Sequence, residues 1–121
     1  MNKSPEIPNN QTIREIISDS FQINLPITGG NGKSIDDAIV MLEDQDYVHN
    51  EYVVLEYLGF YRFVEWKVLG QKLLCCGDKR FDCITIYVSE VLDKSEVWTE
   101  EFFFDVSNCL GDNEKDLVEM K

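Results

Sequence analysis

The side chains able to do chemistry in this 121-residue chain are four cysteines, one histidine and a large excess of carboxylates. A cysteine nucleophile would need Cys75, Cys76, Cys83 or Cys109 to be activated by His49, the only histidine. No local signature joins any of them to it. Leu73, Leu74 and Ile84 surround three of the thiols in sequence, which fits small core hydrophobes. Zinc would require four ligands at suitable spacing, and the chain has no Cys-x-x-Cys pair. Cys75 and Cys76, adjacent in a strand, would point to opposite faces. No metal or cofactor is expected.

The string Gly29, Gly30, Asn31, Gly32, Lys33, Ser34 ends like a phosphate-binding loop. The glycine that such a loop needs five positions before Gly32 is here Ile27, so the string reads as a glycine-rich turn between elements. An anion nest formed by its amides is the alternative. Adjacent acids are common: Asp36 with Asp37, Glu43 with Asp44 and Asp46, Glu100 with Glu101. Such pairs serve hydrolases and divalent cations. With 23 acids in the chain they also arise by chance, and a solvated acidic face is the simpler account.

The net charge of −12 and a pI near 4.3 exclude direct nucleic-acid binding and disfavour an anionic membrane. The acids are not spread evenly. Residues 36–56 hold seven acids and no lysine or arginine, residues 57–80 carry a net +3, and residues 81–121 a net −8. A field concentrated in this way steers a basic partner to a patch, and Tyr47 and Phe103 lie among the acids as potential anchors. No apolar stretch follows a basic start, so no signal peptide is read, and the expected location is the cytoplasm with reduced thiols.

The elements that must position these groups follow from hydrophobic period. Ile13, Ile16, Ile17 and Phe21 recur at helical spacing behind a cap at Asn10 or Thr12. A second helix spans Tyr47 to Tyr61, whose apolar positions form a wide stripe ending near Gly59. The segment Asn24–Ser34 reads as loop. Ile35–Glu43 fits helix or strand, and its short length and polar end favour a strand. Strands are read at Val64–Val68, Leu73–Cys76, Phe81–Ser89 and Val97–Val106, with a turn over residues 77–80. Both faces of the Phe81 strand are apolar, which makes it central. The expected fold is α+β, a mainly antiparallel sheet of four to five strands with two helices on one face. Residues 1–9 are expected as a loose arm, 10–111 as one domain and 112–121 as an acidic tail.

This small, acidic α+β pattern without catalytic residues resembles bacterial immunity proteins of contact-dependent inhibition and other polymorphic toxin systems. The stretch Leu25, Pro26, Ile27, Thr28, Gly29, Gly30, followed by Asp37, Ala38 and Ile39, is similar to a segment of small bacterial proteins without assigned chemistry. The resemblance implies a non-enzymatic inhibitor of a toxin domain, frequently a basic nuclease. Asp36, Asp37, Glu43, Asp44, Asp46, Glu100 and Glu101 would supply charge, and Tyr47 and Phe103 would anchor the partner. A small hydrolase using His49 or an acid pair, a DNA-mimic regulator and an interaction subunit are the competing readings.

Overall fold

A computed structural model describes residue 7, residues 10–42 and residues 46–109. Helix α1 (Ile13–Phe21) starts at Thr12, whose side chain accepts from the Glu15 amide while the Glu15 carboxylate accepts from the Thr12 amide. This reciprocal capping box meets two amides that the first helical turn would leave unpaired. It ends at Gln22, held at φ 55. Strand β1 (Ile27–Gly29) and β2 (Ile39–Met41) follow, then helix α2 (Tyr47–Arg62) and strands β3 (Val64–Cys76), β4 (Lys79–Glu90) and β5 (Val97–Asp105).

The five strands form one sheet in the order β1-β2-β5-β4-β3. All neighbours are antiparallel except β2 and β5, which run parallel through Ile39↔Phe104 and Val40↔Asp105. The α+β architecture and its mostly antiparallel sheet are thus as the periodicity predicts. Local differences have local causes. The segment read as loop contains β1, and the strand expected over 35–43 is only three residues long. Strand β3 runs unbroken from Val64 to Cys76, because a register shift between Val68 and Gly70 absorbs the interruption in alternation. The following turn is the two-residue Gly77–Asp78, with Gly77 at φ 61 in the first central position of a primed hairpin turn.

Register divides the sheet into two unlike faces. Ile84, Ile86 and Val88 of β4 lie beside Phe102, Glu100 and Trp98 of β5 and Gln71, Val68 and Trp66 of β3. Their apolar members join Ile13, Ile16 and Ile17 of α1 and Val54, Leu55 and Leu58 of α2 in one core, so both helices cover this face. Phe21 of α1 meets Tyr57 of α2 with ring centroids 5.0 Å apart. Ile7, within the stretch expected to be a loose arm, is buried in the same core. The opposite face carries Glu65, Lys67 and Lys72 of β3, Cys83, Thr85 and Tyr87 of β4, and Thr99, Glu101 and Phe103 of β5. None of the described helices covers it. The expected tail over residues 112–121 lies outside the described residues.

Candidate functional site

The glycine-rich segment places the first group of acids. Gly32, at φ 80, is buried where a Cβ would come 2.8 Å from Ile39 Cδ1, so glycine is required both for backbone and for space. The loop is tied inward: Gly30 N–H donates to Ala38 C=O, Gly32 N–H to Asp37 C=O, and Lys33 N–H to Asn31 Oδ1. These three amides are consumed within the loop, which removes the core of an anion nest. Phe103 N–H donates to Gly32 C=O at 2.7 Å and fastens the loop to β5.

That fastening gathers four of the nine residues singled out in the sequence. Asp36 and Asp37 stand exposed on the turn, and Glu101 and the half-buried Phe103 stand on the adjoining stretch of β5. No ion pair among the described residues engages Asp36, Asp37 or Glu101. Asp46 and Tyr47 sit elsewhere, beyond the opposite end of β2, where Asp46 precedes α2 at φ 58 without a side-chain cap bond. Glu43 and Asp44 lie outside the described residues.

Glu100 is placed differently from its neighbour. It faces the helices, where Arg62 Nη1 donates to both its oxygens at 2.9 and 2.8 Å and Trp98 Nε1 donates at 2.7 Å. The Arg62 guanidinium, 3% exposed, also lies 5.9 Å from the centre of the Phe102 ring. Glu100 is therefore already engaged inside the molecule, leaving Glu101 as the outward member of the pair.

Two further acids, absent from the sequence-derived set, meet under α2. Glu51 is 0% exposed and Asp82 of β4 is buried. Neither oxygen of Glu51 has a partner within hydrogen-bond distance. Burial, followed by a longer contact with the Asp82 carboxyl and its charge, pushes the Glu51 pKa up to about 10. Gln71 Nε2 donates to Asp82 at 2.8 Å, and the Tyr52 hydroxyl donates to Gln71 Oε1 at 3.0 Å. The pair can hold a proton at neutral pH, but Glu51 lies fully under the helix. The signal for it was present, because Glu51, Leu55, Leu58 and Arg62 share one helical stripe.

The thiols differ in exposure. Cys75 and Cys76 are exposed, Cys83 and Cys109 are buried, and none of the four is in a disulfide. Burial, then Glu101, raises the Cys83 thiol pKa, the reverse of what activates a nucleophile. Among the described residues, no three His, Cys, Asp or Glu side chains converge as a metal site, and no helix is long and apolar enough to cross a membrane. On the open sheet face, Lys67 and Lys72 of β3 lie across β4 from the acids of β5. This mixture differs from a phosphate-like row of carboxylates. Comparison with protein-family models, curated proteins and solved structures found no match.

Proposed function

We propose that this chain is a non-catalytic cytoplasmic binding protein that neutralises a basic protein, a toxin nuclease domain, by occupying its positively charged surface. The observation that carries the reading is the corner formed by the 30–37 loop and β5, where Asp36, Asp37 and Glu101 are exposed, without ion-pair partners among the described residues, beside half-buried Phe103. Unpaired carboxylates attract a basic surface before contact, and an adjoining aromatic side chain retains it afterwards. A nuclease cleft must attract phosphate and so presents the complementary sign. Asp46 and Tyr47 would contribute at a separate end of the molecule.

Capture from the native cell at low and high salt tests this reading, using the full chain and its Asp36→Asn, Asp37→Asn, Glu101→Gln variant. The expected result is a basic protein that is retained at low salt, released at high salt and held less well by the variant. Expression of that protein alone should arrest growth, and coexpression of this chain should restore it. Recovery of no basic protein, or of one harmless when expressed alone, overturns the toxin-inhibitor reading.

A further inference from the structure

The end of the molecule where α2 meets β3 differs from the acidic corner. Phe60 and Phe63 are 60% and 59% exposed, and Leu92, in the β4–β5 connection, is 79% exposed. They are neighbours by construction: Phe63 N–H donates to Phe60 C=O, and Val91 N–H donates to Phe63 C=O. Phe63 closes α2 as its left-handed C-cap, φ 63, with its N–H donating to Gly59 and Phe60 C=O, and it holds an aromatic ring in solvent. Large apolar side chains left together in solvent are what a partner-binding surface uses.

Beside this patch a cleft of about 370 Å³ is lined by Glu56, Gly59, Phe60, Val64, Glu65 and Trp66. Its two acids are not equivalent. Lys94 donates to Glu65 at 2.5 Å, whereas Glu56 is exposed and has no hydrogen-bond or ion-pair partner among the described residues. The cleft therefore combines an unneutralised carboxylate with the rings of Phe60 and Trp66. A guanidinium matches these features: its charge pairs with the carboxylate, its plane lies on an aromatic face, and its methylenes pack on apolar walls. Gly59 lets the Trp66 indole pack directly on α2, since a Cβ there would come 3.0 Å from Trp66 Cδ1.

We infer that this cleft receives an arginine from an apolar, basic segment of the partner protein, with Phe63 and Leu92 covering the segment's apolar side chains. The inference rests on the proposal of a basic protein partner and adds to the acidic corner a second, separate anchor at the end of α2.

The test titrates the full chain with an amidated peptide of arginine and leucine at helical spacing, followed by amide and indole NMR signals. The signals of Gly59 and Trp66 should shift first. Glu56→Gln and Phe60→Ala should each weaken binding about tenfold, while Asp36→Asn with Glu101→Gln should change it less than about twofold. Both cleft positions are solvent-facing, and an unchanged near-ultraviolet circular dichroism spectrum would establish that the variants remain folded. Shifts confined to the 30–37 loop and β5, or affinity indifferent to both cleft variants, would overturn the inference. So would concentration-dependent self-association that Phe60→Ala abolishes while peptide affinity stays unchanged. Failure to capture a basic protein from cells would remove the functional proposal without altering the peptide result, so the two failures are distinguishable.

Discussion

Helix α2 presses two polar clusters onto the same face of the sheet and satisfies them in opposite ways. At its C-terminal end, Glu100 receives Arg62 and Trp98, so each buried polar group meets an opposite partner. Toward its N-terminal end, Glu51 meets another carboxyl group and, among the described residues, no cation. The first arrangement favours one helix position because Arg62 Nη1 and Trp98 Nε1 converge on one carboxylate through charge-assisted hydrogen bonds. The second holds a proton that an exposed glutamate would release, and so opposes folding at neutral pH. Polar groups packed under one helix thus yield a fastening at one end and, where burial is complete and the neighbour is another acid, a destabilised site at the other.

Removing the Arg62 guanidinium should produce the largest change. Arg62→Met leaves Glu100 without its cation, the Trp98 indole still donating to it, and should cost about 3 kcal/mol or more in chemical unfolding. A paired Arg62→Met, Glu100→Leu replacement should recover much of that loss, because it removes the stranded charge as well. Recovery of none would mean that packing against Phe102, and not the ion pair, carries the effect.

Glu51→Gln should act in the opposite direction. Folded Glu51 keeps its proton to about pH 10, whereas an unfolded glutamate loses it near 4.5. The folded state consequently binds more protons throughout that window, and the stability contributed by protonated Glu51 is complete below the lower value and lost as pH rises toward the upper. At pH 7 this opposes folding by roughly 3 kcal/mol, the most that the neutral isostere can regain. Urea midpoints measured from pH 5 to 9 should fall with rising pH in the parent more steeply than in Glu51→Gln. Parallel slopes would place the parent's dependence elsewhere.

Tyr52→Phe is a smaller probe of the same end. It removes the hydroxyl that donates to Gln71, which in turn donates to Asp82, and should cost about 1 kcal/mol. Its effect should shrink in a Glu51→Gln background if the groups form one network, and a double-mutant cycle measures that coupling. The smallest stability change belongs to Glu101→Gln, within about 0.5 kcal/mol, because that side chain is exposed and has no ion-pair partner among the described residues. Its effect should instead be on salt-dependent association, in contrast with Glu100 one position away.

Alternation along β5 already separates those two acids. Glu100 has the parity of Trp98, Phe102 and Phe104, which face the core, and Glu101 that of Thr99 and Phe103. Reading the pair as one acidic feature lost this information. Helices α1 and α2 were legible because their contacts repeat within a few residues, and β4 because both its faces are apolar. Strand β2 was only partly legible, since its neighbour β5 is distant in sequence and three residues carry little periodicity. The corner uniting Asp36 and Asp37 with Glu101 was invisible for the same reason: the Phe103–Gly32 hydrogen bond joins separate parts of the chain. The exposed aromatics at the end of α2 read as part of an apolar stripe, because spacing does not distinguish a buried ring from one left in solvent.

The parallel seam between β2 and β5 also bears on the order of folding. Strands β3, β4 and β5 form a meander of sequence-local pairings, whereas β2 joins through two register positions far apart along the chain. Closing that seam carries the larger loop entropy and returns few contacts, so it belongs late in folding and opens early under stress. The lifting of β1 and β2 would carry Asp36 and Asp37 away from Glu101 while the meander persisted. In native-state hydrogen exchange, Ile39 and Val40 should therefore lose protection through a sub-global opening before Ile84 and Ile86 exchange.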